Sequence, residues 1–328
     1  FRSHLFGQNL PHCLSIPKHV IRALLMQLTF ALIVLAGLGR AIAAQVCATD
    51  ADSTSLLQLA KLGERPTQRD APNLWSRNCA PYPGKRIVFV SVSSQFMGMF
   101  RNWLVHASPH LNPETDQLVA YAENPEALPL LQSLSGQYGV RFDARVDKSW
   151  HHVGGADSNC RHGSASYASV VTHTPKVISD WLESNCTVLY HDIDTAWRSS
   201  VMSILDSVGV HDVVATDDAR DPNPANLTNL CGCFLYVQPS AAGKAFARRW
   251  FDASKGKMFN QPPMNEVLSE MHGELGVFVL PPAMFPNGWN AKANIKTAVA
   301  VHANYLKGTD LKVQLLRNLS LWSDRDAA

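Results

Sequence analysis

From Lys85 onward, short runs of Val, Ile, Phe and Leu alternate with longer amphipathic stretches, the pattern expected of an α/β sheet built from strand and helix in turn. Strands are predicted at Arg86–Val92, Gln117–Ala122 and Gly139–Phe142, then from Thr187 into Asp192 and Asp194, and at His211–Thr216, Gly232–Val237, Gly276–Leu280 and Thr297–Val301. Helices are predicted near Met97–Ala107, Leu128–Tyr138, Tyr167–Glu183, Ala241–Asp252 and Met264–Met271. In an open α/β sheet the ligand sits beyond the carboxyl ends of the strands. Ser93, Asp192, Asp194, Asp217 and His302 all fall at such ends, which places them around one crevice. There is no internal repeat of fixed period and no low-complexity tract.

Upstream the pattern differs. Residues 23–39 form an apolar run preceded by Arg2, Lys18 and Arg22 and followed directly by Arg40 alone. At ~1.5 Å per residue the run just spans a thin secretory-pathway bilayer of roughly 27 Å. The charge asymmetry favours a cytosolic tail at 1–22 and a lumenal remainder, so a single-pass type II anchor in the Golgi membrane is expected. Ala41-Ile-Ala43 also fits a signal-peptidase site, which leaves a cleaved signal and a secreted protein open. Residues 40–84 are polar and contain proline, and read as a stem or linker with one short helix around Leu56–Leu62. A single catalytic domain is expected at 85–322, followed by a tail at 323–328.

Composition narrows the function. The 328 residues are 46% hydrophobic, enough for a sizeable core, and a formal charge of +2 without a long Lys/Arg run excludes nucleic acid as the main partner. Cys47, Cys79, Cys160, Cys186, Cys231 and Cys233 follow the apolar segment and suit an oxidising compartment, with connectivity left open. Cys231-Gly-Cys233 lacks a second ligand pair at zinc-finger spacing, so disulfides or buried thiols are expected there. Asn185-Cys-Thr187, Asn226-Leu-Thr228 and Asn318-Leu-Ser320 are glycosylation acceptors if they face the lumen.

The chemistry concentrates in two segments. In Thr187-Val-Leu-Tyr-His-Asp192-Ile-Asp194, two carboxylates at a strand end repel one another unless a divalent cation sits between them. In Val301-His302-Ala-Asn304-Tyr-Leu-Lys-Gly308-Thr-Asp-Leu-Lys312, the histidine can complete a metal shell, and the glycine and lysine can approach and neutralise phosphates. A phosphatase of the haloacid-dehalogenase type also carries Asp-x-Asp after a strand, but Thr195 lies one place too early for that motif. His151, His152, Cys160 and His162 offer zinc-type ligands in a Gly/Ser-rich segment that reads more simply as an exposed loop. Asp218 and Asp221 read as solvated loop carboxylates, and Trp197 and Trp322 as packing residues.

These motifs, with a later Asp at a strand end, a Gly-aromatic strand, a Gln-x-x-x-Asn pair and a Phe-Pro-x-Gly turn, resemble the nucleotide-diphospho-sugar transferases, in particular the glycosyltransferase family 77-like enzymes of plants and algae. The resemblance implies a GT-A type nucleotide-sugar-binding sheet flanked by helices. It implies that Asp192, Asp194 and His302 hold Mn²⁺ or Mg²⁺, and that Gly308 and Lys312 contact the diphosphate of a donor such as a UDP-sugar. Ser93, Ser94 and Lys176 would lie near the donor, and Asp217 would hydrogen-bond the donor sugar. Gln261 would face the sugar opposite the leaving diphosphate, and Phe285-Pro-Asn-Gly288 would shape the wall. Retaining transfer to a glycan or glycoprotein is the implied reaction, by front-face attack because no carboxylate nucleophile is apparent near Gln261. Two positions depart from the family pattern: Asn260 stands where Asp is usual, and Leu230 where Asn is frequent. Asn260 keeps open a catalytically inactive relative that binds nucleotide or glycan.

Overall fold

The computed structural model describes residues 78–149, 165–219 and 229–323. The expected anchor, most of the stem, the His151–His162 cluster and the acceptor at Asn226 lie outside the described residues. Among the described residues no helix is long and apolar enough to cross a membrane.

The chain forms β1 (Arg86–Val92), α1 (Met97–Ala107), β2 (Asp116–Ala122), α2 (Ala127–Leu134), β3 (Phe142–Arg145), α3 (Ala165–Glu183), β4 (Val188–His191), β5 (Thr195–Trp197) and α4 (Val201–Ser207). It continues with β6 (Val213–Asp217), β7 (Leu230–Val237), α5 (Ala241–Ser254), α6 (Gln261–Glu270), β8 (Val277–Leu280), α7 (Ala291–Asn294), β9 (Ala300–His302) and α8 (Thr309–Asn318). Seven strands make one mixed sheet in the order β3-β2-β1-β4-β7-β6-β8, and β5 and β9 make a second, two-stranded one. β7 runs antiparallel to both β4 and β6, while the β1–β2, β1–β4, β2–β3 and β6–β8 pairs are parallel.

Alternation along β1 sorts its side chains onto two covered faces. Val88, Val90 and Val92 join a core with Phe100, Trp103, Leu131 and Leu205 from α1, α2 and α4. Ile87 and Phe89 join another with Ile178, Trp181, Trp250 and Met264 from α3, α5 and α6. A third cluster seats the two-stranded sheet, through Ala196 and Val301, against Met99, Ala291 and Leu316. The architecture is therefore the expected α/β sheet with helices on both faces. Disulfides join Cys79 to Cys186 and Cys231 to Cys233.

Several boundaries differ from expectation. The helix begun at Ala127 stops at Leu134, because Ser135 is extended and Gly136 turns with φ 89°. β3 consequently begins at Phe142 and continues to Arg145 rather than filling 139–142. The Asp-x-Asp segment is not strand throughout: β4 ends at His191, and Asp192 to Asp194 form the turn into β5. The short helices α4 and α7, the strand β5 and the helix α8 are additions.

Candidate active site

The site is assembled by the β4–β5 turn and by the segment that follows β9. Asp192 is tied to β7 by its N–H to Cys233 O at 2.8 Å, and Thr195 Oγ1 donates to Asp192 O at 2.9 Å. Pairing of Thr195 with His302 across β5 and β9 brings two residues more than a hundred positions apart into register, and Ala303 N–H donates to Asp194 O at 2.9 Å. His302 Nε2 thus lies 3.1 Å from Asp194 Oδ1 and 3.8 Å from Asp192 Oδ2. Lys312, in the first turns of α8, donates from Nζ to Asp194 Oδ2. Tyr190 Oη donates to Asp192 Oδ1 at 2.6 Å.

The electrostatics of this cluster are divided. Burial and then the Asp194 charge push the Asp192 carboxyl up to about 6. Burial would raise Asp194 as well, but Lys312 and His302 hold it well below the usual carboxylate range. Burial disfavours the charged forms of His302 and Lys312, yet the Asp194 carboxylate outweighs it and raises both. One ligand atom each from Asp192, Asp194 and His302 lies within 4.8 Å of the other two. Two carboxylates and one imidazole are a hard-to-borderline donor set suited to Mn²⁺ or Mg²⁺. Cys231, Cys233 and His302 are similarly close, but the two sulfurs are bonded to each other and offer no thiolate.

Beside the cluster an open cleft is lined by Thr195, Asp217, Asp218, Cys231, Phe285, Asn287 and His302, among others. Asp218 of that lining is the centre of a hydrogen-bonded net. Gly232 N–H donates to Gln261 Oε1 at 3.1 Å, and Gln261 Nε2 donates to Asp218 Oδ2 at 2.9 Å. Asn304 Nδ2 donates to Asp218 Oδ1 at 2.5 Å, and Tyr305 Oη donates to Asp218 O. One turn along α6, the Asn265 amide bonds both the N–H and the C=O of Leu230 and also Gln261 O, which fixes the start of α6 against β7. The Phe285–Gly288 turn is locked to the same net, since Gly288 N–H donates to Asn304 Oδ1 at 2.7 Å. A Cβ at Gly288 would stand 2.1 Å from Asn304 O, so only glycine allows this approach.

The structure therefore brings Asp192, Asp194, His302 and Lys312 together, with Gly308 at φ 91° capping the helix that carries Lys312. Gln261 is hydrogen-bonded to Asp218, which lines the cleft, and the Asn260 Oδ1 is 3.4 Å from where a Cβ on Gly232 would be. Ser93 follows β1 with its hydroxyl buried and no hydrogen-bond partner among the described residues, while Ser94 exchanges hydrogen bonds with Asn124. Asp217 is buried, and its Oδ1 accepts from Ala219 N–H at 2.7 Å. Lys176 is not joined to the carboxylate pair: its ammonium is held by Asp147 at 2.9 Å and Asp180 at 2.7 Å. Two expectations need correcting. Asp218 is no solvated loop carboxylate, because two side-chain amides anchor it at the cleft. A carboxylate does stand beside Gln261, and it is Asp218. The Asp-Asp doublet at the end of β6 and the Asn of Val-His-Ala-Asn were the available signals for this net.

Residues 140–316 match the family model described as nucleotide-diphospho-sugar transferase. Among characterised proteins, the chain is similar to the UDP-D-xylose:L-fucose alpha-1,3-D-xylosyltransferase MGP4 of Arabidopsis thaliana, 23% identical over 269 residues that span 74% of this chain and 71% of the relative. The UDP-D-xylose:L-fucose alpha-1,3-D-xylosyltransferase 1 of the same plant is 22% identical over 271 residues, 74% of this chain and 72% of that one. Among solved structures, the apo WbbM bifunctional glycosyltransferase superposes with a TM-score of 0.50 at 13% identity, covering 72% of this chain. This chain spans 50% of that structure. The likeness is one of fold, a GT-A type sheet flanked by helices.

Proposed function

The chain belongs to the nucleotide-diphospho-sugar transferase family and is a glycosyltransferase with a nucleotide-sugar donor, and on that premise we propose that it transfers a pentose or hexose from a UDP-sugar with retention, aided by Mn²⁺. UDP-xylose is the first donor to try and an L-fucose-bearing glycan the first acceptor, by similarity to the plant xylosyltransferases. The observation that carries the reading is the convergence of Asp192, Asp194, His302 and Lys312 at one edge of the cleft.

Asp192, Asp194 and His302 would hold the divalent cation, which when bound offsets the charge that grows on the leaving diphosphate. Lys312, which pairs with Asp194 in the structure, would be the second positive group available to that diphosphate. The Gln261 amide is oriented by Gly232 and by Asp218 of the cleft lining, so it would meet the sugar in one fixed pose. Both oxygens of Asp218 are engaged by amides, which favours a positioning role over that of a covalent nucleophile. The acceptor hydroxyl would then form its bond to the anomeric carbon on the face the diphosphate leaves, passing its proton to the departing diphosphate. The two disulfides support a lumenal, secretory-pathway setting, with 23–39 as a Golgi anchor or a cleaved signal.

The test is transfer from UDP-xylose, UDP-galactose and UDP-glucose to methyl α-L-fucoside with and without Mn²⁺, with product configuration read by NMR. An α-linked product formed with Mn²⁺ and lost in Asp194→Ala is expected. A β-linked product, or undiminished transfer in Asp194→Ala, contradicts the proposal.

A further inference from the structure

Two asparagines beside the cleft are each followed by an aromatic residue, in Asn287-Gly288-Trp289 and in Asn304-Tyr305. Both rings stand in solvent, Trp289 51% and Tyr305 43% exposed, with their centroids 5.8 Å apart and their planes at 55°. Among the described residues they are the most exposed aromatic side chains. A single surface aromatic needs no explanation, but two in contact beside a cleft make an apolar platform.

The backbone of the cleft holds them there. Trp289 N–H donates at 3.0 Å to Oδ1 of Asn287, a buried residue of the cleft lining, and Asn287 Nδ2 donates to Ala219 O at 2.9 Å. Tyr305 Oη donates to Asp218 O, so its hydroxyl is engaged and the ring is what the residue offers. The Asn304 amide ties the two segments side by side, accepting from Gly288 N–H and donating to Asp218 Oδ1. Tyr305 also has φ 61°, in the left-handed region that a residue with a Cβ rarely enters. Of the described non-glycine residues with such a φ, Asn185, Tyr305 and Ser320, it alone is aromatic. Strain at a half-exposed ring is not recovered by burying that ring, and strain of this kind collects at binding sites.

The position of the platform separates it from the nucleoside. In the sheet β1, β4, β7 and β6 stand in that order, which sets the ends of β1 and β6 roughly 14 Å apart. On the proposed reading the nucleoside lies near Ser93 after β1 and the diphosphate at the Asp192–Asp194 turn after β4. Trp289 and Tyr305 are instead tied to Asp218 and Ala219, after β6. We propose that these two rings bind the acceptor, taking the C–H-rich face of a pyranose in the glycan that receives the transferred sugar. The negative faces of aromatic rings attract polarised C–H groups, and stacking leaves the hydroxyls at the rim of the sugar free to reach the cleft. The inference rests on the nucleotide-sugar reading of the cleft and supplies its acceptor side.

Saturation-transfer NMR with methyl α-L-fucoside, methyl β-D-galactoside and methyl α-D-mannoside, in the presence of UDP and Mn²⁺, measures glycoside binding to the full chain. Calorimetry measures UDP binding, and the melting temperature reports folding. In Trp289→Ala, affinity for the glycoside that binds wild type is expected to fall about tenfold or more, while that for UDP stays within about twofold. Trp289→Phe keeps a ring and should stay within about threefold of wild type for the glycoside. Tyr305→Asn should lose glycoside affinity without a lower melting temperature, since asparagine tolerates the left-handed backbone. A loss of UDP affinity matching that of the glycoside would assign the rings to the nucleobase and overturn the proposal. So would unchanged glycoside affinity in Trp289→Ala, a loss that Trp289→Phe does not restore, or a wild type that binds UDP but none of the three glycosides. A wild type that binds no UDP would instead remove the nucleotide-sugar reading itself.

Discussion

Asp192 and Asp194 stand two residues apart yet titrate in opposite directions, and this sets a signature in pH. Asp192 is pushed up to about 6 by burial and by Asp194, and His302 is raised by Asp194 against its own burial. The folded protein therefore holds these two protons more tightly than the unfolded chain does. Their stabilisation is present at low pH and is lost as pH rises, from the ordinary aspartate value of ~4 through 6 for Asp192 and above ~6.5 for His302. Asp194 has the reverse sign: its depressed value contributes stability above the ordinary carboxylate range, lost as pH falls below ~4. In metal-free protein, Asp192→Asn should thus become increasingly stabilising relative to wild type as pH rises from ~4 to 6, and level off above that, as followed by thermal melting. A variant that is destabilised more at pH 8 than at pH 5 would contradict the assignment. Since a ligating histidine must be neutral, Mn²⁺ affinity should rise with pH and binding should release protons, measurable by calorimetry in buffers of different ionisation enthalpy.

At the scale of elements, the same sheet edge that builds the site depends on a buried ion pair at its opposite end. Arg86 opens β1, and its Nε lies 2.6 Å from Asp116 at the start of β2, with both side chains almost wholly buried. Its Nη1 reaches Asp206 on α4 at 2.5 Å, but that carboxylate is 45% exposed. Asp116→Ala should cost about 3 kcal/mol in chemical denaturation because it strands buried charge, whereas Asp206→Ala should cost about 1 kcal/mol or less. Equal costs for the two would show that burial does not govern this pair. β1 and β2 were legible in the sequence because their side chains are apolar nearly throughout. α8 was not, because among its ten residues only Leu316 is fully buried and the period is too faint. β5 is three residues long, shorter than any alternating pattern can resolve, whereas β9 at Ala300–His302 falls largely within the strand expected at Thr297–Val301. The direction of β7 leaves no trace in its composition, since a strand buried on both faces reads alike both ways.

At the scale of the molecule, the order of strands explains which part of the site could be foreseen. Asp192, Asp194, His302 and Lys312 are carried by two local motifs whose residue types already name their chemistry, and the β5–β9 pairing needed only to bring those motifs together. Gln261 was named by the resemblance, and Asp218 and Asn304 sit in motifs that signalled them, but that the three meet across separate elements emerges only from the fold. Lys176 shows the converse: its helix was foreseen, but Asp147 and Asp180 claim its ammonium. What unites both halves is a cleft with the proposed cation ligands at one edge and the Asp218 hydrogen-bond net beside it. Calorimetric titration of the protein with UDP, with and without Mn²⁺, in wild type and Asp194→Ala, tests that arrangement most directly. Binding that needs Mn²⁺ and is abolished by Asp194→Ala is the expected result. UDP binding of equal strength without a divalent cation, or unchanged in Asp194→Ala, would contradict it.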